Sequence, residues 1–187
     1  MRGKRPSLPG TRGPDTNDVA AMIRVDHAGE FGALRIYEGQ LAVLSRNPRA
    51  TAGTAAIRRM AEQERVHFDA FDKLVKDRAV RPTALEPVWH IAGFALGAAT
   101  ALMGEKAAMA CTVAVEDVID EHYSKQIERI GKADPELRSA LVKFHEDECA
   151  HRSEALEHGA SEALGYDLLT SAIRLSCRIA ISLSERL

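Results

Sequence analysis

The chain has 187 residues, 45% of them hydrophobic, and a formal net charge of −2. That is enough for one domain with a core of its own, and it excludes a bulk electrostatic pull towards nucleic acid. The three cysteines, Cys111, Cys149 and Cys177, are scattered and odd in number. This argues against a disulfide framework and fits a reducing compartment; without a Cys-x-x-Cys pair, a zinc ribbon or thioredoxin-type motif is also excluded.

Residues 1–17, "MRGKRPSLPGTRGPDTN", are basic and rich in Pro and Gly. They lack the apolar run of a secretory signal and read as a flexible tail ahead of a single domain, 18–187. Ala, Leu, Glu and Arg dominate long stretches of that domain, which favours helix. A first helix is expected over 18–45, capped by Asn17 or Asp18 and ended by "NPRA". A second covers 51–78 and stops at "RPTALEP". The third, 87–104, carries no formal charge. At 18 residues it is at the lower limit for a membrane span. Such short apolar runs are usually buried core helices. The alternative is a segment at a membrane surface or lining an apolar channel, with Gly93-x-x-x-Gly97 within it. A true span is disfavoured because it would part the helices on either side. A fourth helix covers 105–130 and a fifth 135–158. The last, beginning near Ser161 or Leu168, interleaves apolar residues with Arg174, Arg178 and Arg186. That pattern suits a membrane surface or a partner helix, or simply a core cover. No segment combines β-branched alternation with hairpin turns, so the expected class is all-α.

The second helix contains Glu64-Arg65-Val66-His67, and the fifth contains Glu148-Cys149-Ala150-His151. Residues three apart on a helix lie about 60° apart, so each pair shares a face. One such pair is ordinarily a solvated surface. Here the spacing recurs, and each pair follows a lone glutamate on the preceding helix: Glu30, 34 residues before Glu64, and Glu116, 32 residues before Glu148. Glu30 is flanked by Gly29 and Gly32, small residues that let a neighbouring helix come close. Glu116 ends the uncharged run 107–115 and is expected to face inward. A buried carboxylate is costly unless paired or metal-bound. The chain thus reads as two copies of helix-with-Glu, turn, helix-with-Glu-x-x-His, separated by the third helix. Four carboxylates and two imidazoles on four helices match the needs of a metal pair, and hard oxygen donors with imidazole suit iron or manganese. Cys149 lies about 100° round the helix from Glu148 and is expected to pack rather than ligate.

The runs "IRVDHAGEFGALRIYEGQLAVL", "EQERVHF", "FALGAATALMGEKAAMACTVAVEDVIDEHYSKQI" and "CRIAISLSERL" resemble the demethoxyubiquinone hydroxylases of ubiquinone biosynthesis. The resemblance extends over nearly the whole chain from Val19. It implies a ferritin-like four-helix bundle with two additional apolar or amphipathic helices. It also implies a di-iron centre, O₂ as oxidant, an external reductant such as NADH, a polyprenyl quinone or quinol substrate, and hydroxylation of its ring. Carried over residue by residue, the iron ligands are Glu30, Glu64, His67, Glu116, Glu148 and His151, with Glu64 and Glu148 bridging. The pair His122 and Tyr123 is cast in substrate positioning or proton and electron relay, against the plainer reading of a surface histidine and a core tyrosine. His158 is placed near the rim, and Asp26 and His27 as partners orienting a ligand. The stretch "EDECAHRSEALEH" is less acidic than the family pattern. The implied location is peripheral, on the cytoplasmic face of a bacterial cell membrane or the matrix side of a mitochondrial inner membrane. The implied partners are the membrane, further copies of the chain and other ubiquinone-biosynthesis proteins, and no nucleic acid. Two other readings use the same residues: a ferritin-like iron-storage or peroxide-handling protein, and a non-enzymatic quinone-binding scaffold.

Overall fold

A computed structural model describes residues 14–46 and 51–186. It contains six α-helices and, among the described residues, no strand: α1 (Thr16–Leu44), α2 (Ala52–Asp77), α3 (Glu86–Leu102), α4 (Glu105–Ile130), α5 (Pro135–Glu157) and α6 (Tyr166–Ser184). A 3-10 turn, Ala160–Glu162, leads into α6, which begins between the two starts the sequence suggests. Most of the basic tail lies outside the described residues, as does the "NPRA" stop. The cap of α1 differs from expectation. Asp15 holds that place, accepting from the backbone N–H of Asn17 and Asp18 at 2.9 Å each, while Asp18 reciprocates as the fourth member of a capping box. Thr51 caps α2 and Asp134 caps α5 by accepting from one backbone N–H each, that of Thr54 and of Leu137, the latter helix with Pro135 at its first position.

The helices form two similar halves. In one, α1 packs on α2 and α3 lies along α1; in the other, α4 packs on α5 and α6 lies along α4. The repeat therefore has three helices per half, one more than the two-helix copies read from the sequence. Apolar side chains close the bundle at both ends, around Ile57, Met60, Met109 and Val113 at one and Ile23, Phe71, Leu137 and Phe144 at the other.

The structure overturns the core-helix reading of α3, which buries only Gly93, Gly97, Thr100 and Ala101. Its glycine edge sits so close to α1 that a Cβ at Gly97 would strike the Ile36 carbonyl, and one at Gly93 would lie 2.9 Å from the Gly32 carbonyl oxygen. Much of the remainder of α3 faces outward, with Val88, Ile91 and Leu102 exposed. On α6, Leu168, Leu175, Ile179 and Leu183 are exposed in the same way. Two of its arginines tie it to α4, Arg174 pairing with Asp117 and Arg178 with Glu121. No helix among the described residues is long and apolar enough to cross a membrane.

Candidate metal centre and its apolar cavity

Between the two apolar ends, α1, α2, α4 and α5 turn six side chains towards one another. Glu30, Glu64, His67, Glu116, Glu148 and His151 are all buried, none more than 4% exposed. They fall into two overlapping groups, in each of which one ligating atom per residue lies within 4.8 Å of the others: Glu30, Glu64, His67 and Glu148, and Glu64, Glu116, Glu148 and His151. The shared members present one oxygen to each histidine. Glu148 Oε1 lies 3.0 Å from His67 Nδ1 and its Oε2 3.0 Å from His151 Nδ1. Glu64 Oε2 lies 3.9 Å from His67 Nδ1 and its Oε1 3.2 Å from His151 Nδ1.

The far side of each ring is held by the opposite helix. His67 Nε2 lies 3.1 Å from Asp147 Oδ2, and His151 Nε2 lies 3.0 Å from Gln63 Oε1. Each acceptor takes the Nε2 proton, which leaves Nδ1 as the ring atom that faces the carboxylates. Two buried atoms in the centre, Glu64 Oε2 and His67 Nδ1, have no hydrogen-bond partner. Polar atoms so buried are rarely left unpaired. A pair of divalent cations fits this donor set and would supply the missing partners.

The glutamates are braced in the same crossed fashion. The Tyr37 hydroxyl, on α1, donates to Glu116 Oε1 on α4 at 3.0 Å, and the Tyr123 hydroxyl, on α4, donates to Glu30 on α1. Burial, and then Glu116 beside Tyr37 and Glu30 beside Tyr123, push both phenols well above their usual range, so both remain O–H donors.

Without cations the centre holds protons. Burial pushes the Glu64 and Glu116 carboxyls up, and the neighbouring Glu148 charge adds to it. Burial also pushes Glu148 up, but the hydrogen bond from His151 and the close approach of the His67 ring outweigh it and hold that carboxyl at about 2. Burial opposes charge on the two imidazoles. The carboxylates facing them, Glu148 and Glu30 for His67 and Glu148 and Glu64 for His151, overcome this and raise them to about 11 and about 10.

Beside the centre, α1, α3, α4 and α6 enclose a cavity of about 160 Å³. Val25, Gly29, Gly32, Leu96, Ile119 and Ile181 are among its walls. Ala33 and Ile119, one turn beyond Glu30 and Glu116, carry it alongside the ligand-bearing faces. At another edge, Trp89 Nε1 donates to Ser184 Oγ at 3.0 Å, joining α3 to α6. Gly29 and Gly32 have a different role from the expected one: a Cβ at either would meet nothing within 4 Å. They leave room for the cavity, while the backbone of Gly32 is also where α3 comes close at Gly93.

The model of the family described as "Ubiquinone biosynthesis protein COQ7" matches residues 17–184. The chain belongs to the COQ7 family. It is 49% identical over 179 residues to a 3-demethoxyubiquinol 3-hydroxylase of Rhodospirillum rubrum, covering 96% of this chain and 82% of the relative. A mitochondrial protein of Homo sapiens named NADPH-dependent 3-demethoxyubiquinone 3-hydroxylase is 49% identical over 173 residues, 90% of this chain and 78% of the relative. The 5-demethoxyubiquinone hydroxylase of Saccharomyces cerevisiae mitochondria is 38% identical over 182 residues, 89% and 77%.

Not every candidate from the COQ7-like motifs reaches the centre. His122 is partly buried, with Nε2 3.0 Å from Asp26 Oδ1, and Gln126 donates to the same oxygen at 2.9 Å. Burial raises the Asp26 carboxyl, against the hydrogen bond and charge of His122. Asp26 and His122 thus form a buried pair next to Tyr123 and touch no ligand themselves. His27 lies 3.7 Å from Asp72, and His158 pairs with Glu154 at 4.0 Å. Cys149 is exposed, so the expected packing role fails. Three bracing residues escaped the sequence reading, each with a signal. Gln63 and Asp147 immediately precede Glu64 and Glu148. Tyr37 follows Glu30 by seven, as Tyr123 follows Glu116.

Proposed function

We propose that this chain hydroxylates the ring of a demethoxyubiquinone or demethoxyubiquinol, using two iron ions held by Glu30, Glu64, His67, Glu116, Glu148 and His151. The observation that carries the reading is the pairing of a buried carboxylate–imidazole centre, with unpartnered ligand atoms, and an apolar cavity along two of its helices. The names of the relatives supply the substrate class. Iron there would supply dioxygen activation, one oxygen atom going to the ring and the other leaving as water, with electrons from a reduced nicotinamide. The NADH implied by the sequence resemblance has a near equivalent in the NADPH that the human relative is named for.

The protein's own part is positioning. Glu64 and Glu148 present one oxygen to each half of the centre. Asp147 and Gln63 fix the rings. Apolar walls hold the quinone ring and keep bulk water from it, and the exposed apolar faces of α3 and α6 rest on the membrane that retains the isoprenoid tail. Tyr123, bonded to Glu30 and adjoining the Asp26–His122 pair, holds a proton at the edge of the centre.

An iron-storage or peroxide-handling protein would need the same six side chains but not the cavity. A scaffold would consume no oxygen. The test is metal content per chain and oxygen uptake with a short-tailed demethoxyquinol, on the wild-type chain and on Glu148→Ala. The expected outcome is about two irons per chain and hydroxylated product, both lost in the variant. Iron bound normally with peroxide turnover or ferric mineral as the only product would favour the storage reading. Undiminished iron and product in Glu148→Ala would overturn the ligand assignment.

A further inference from the structure

A second group of metal-type donors lies outside the central six, on the outer face of α4 and α5. Asp120, His145 and Cys149 bring a carboxylate oxygen, an imidazole nitrogen and a thiol sulfur within 4.8 Å of one another. His145 Nε2 is 2.5 Å from Asp120 Oδ1. Cys149 Sγ is 3.9 Å from that oxygen and 4.0 Å from that nitrogen. His145 and Cys149 are four apart on α5 and so share a face, while Asp120 reaches them from α4. We infer that these three side chains form a peripheral site for a zinc-type divalent cation.

The donor set carries the inference. Thiolate, imidazole and carboxylate together suit a borderline ion such as zinc better than a hard one. With bonds of about 2.0–2.3 Å, the ligating atoms of a tetrahedral site lie roughly 3.3–3.8 Å apart. The two sulfur distances are already close to that, and the Asp120–His145 pair has to open by less than about 1 Å. Both are partly exposed surface side chains able to do so: Asp120 is 49% and His145 25% exposed. The fourth position faces solvent and takes water. Binding forms one bond each from sulfur, nitrogen and oxygen and releases the thiol proton, with the imidazole proton where it is carried, to solvent. The cation would clip α4 to α5 alongside Glu148 without entering the central site, which has no sulfur. The plainer account of the same geometry is a surface Asp–His ion pair, of little energetic weight, with the thiol a bystander.

The experiment titrates the full-length, metal-stripped protein with Co²⁺ and follows its absorption. The expected result is a sulfur-to-cobalt charge-transfer band in the near ultraviolet, absent in Cys149→Ser and shifted to at least ~10-fold higher cobalt in His145→Ala. The central carboxylate site contributes only ligand-field bands. Their persistence in Cys149→Ser shows a folded protein and separates failure here from failure of the iron assignment. No sulfur band at saturating cobalt, or a band with the same midpoint in His145→Ala, would overturn the inference.

Discussion

His67 and His151 meet the shared carboxylates in the same way and differ in what holds them from behind. His67 is backed by Asp147, an anion when ionised, and His151 by neutral Gln63. A carboxylate behind a ligating imidazole makes it a better donor. Asp147→Asn keeps an acceptor for the ring while removing that charge. It is expected to weaken one of the two bound ions by roughly 10- to 100-fold and spare the other. Competition with a graded chelator series would show this as a split release; an unchanged single release would deny Asp147 the role. The protons of the metal-free centre give a second prediction. His67 at about 11 and His151 at about 10 are charged at neutral pH, and Glu64 and Glu116 are pushed up as well. Metal must displace these protons, so affinity should rise with pH across neutrality, with at least the two imidazolium protons released. Calorimetry in buffers of differing ionisation enthalpy reads the number; affinity falling as pH rises would contradict it. The six proposed ligands were legible in the sequence because the Glu-x-x-His spacing recurs and a lone glutamate precedes each copy at a similar distance. The braces were less so because each acts across helices. Tyr37 serves Glu116, not its own Glu30, and only the mirrored seven-residue offset hints at it.

Among the elements, α3 shows how the same residue type serves opposite purposes. Gly97 is in contact with the backbone of α1, whereas Gly29 borders empty space. Gly97→Ala is therefore expected to cost about 1–3 kcal/mol by overpacking, a fall in Tm of roughly 2–4 °C per kcal/mol in thermal unfolding. Gly29→Ala is expected to have the opposite sign, adding about 0.5–1 kcal/mol through helix propensity. Equal effects at the two sites would mean that the glycines do not divide in this way. The sequence does not distinguish them, since both sit in small-residue stretches of apolar helices and only the neighbour decides. For the same reason α3 was legible as a helix but not as one whose apolar side faces out. Its lack of charge is equally compatible with a core.

At the scale of the whole molecule, most of the exposed large apolar side chains gather on α3 and α6, two of the four helices that wall the cavity. Ile91 is 69%, Leu168 80% and Leu175 60% exposed. If these rest on lipid, Ile91→Asp, Leu168→Asp and Leu175→Asp together should lower partition onto phospholipid vesicles by roughly a thousandfold or more, from about 1.5 kcal/mol or more for each side chain. Sedimentation with vesicles measures this, and metal content should be unchanged; undiminished sedimentation would locate the membrane contact elsewhere. The all-α class and the helix order were plain from composition and periodicity. The third helix in each half was not recognised as part of the repeat, because α3 and α6 carry no ligand by which to match them. The crossed bracing has one more consequence. The side chains that steady the ligands of one half belong to the other: Tyr123 to Glu30, Tyr37 to Glu116, Asp147 to His67, Gln63 to His151. Neither half can ready its own ligands alone. The centre therefore closes like a clasp, with no half-built stage in which one ion's surroundings are finished while the other's are still loose.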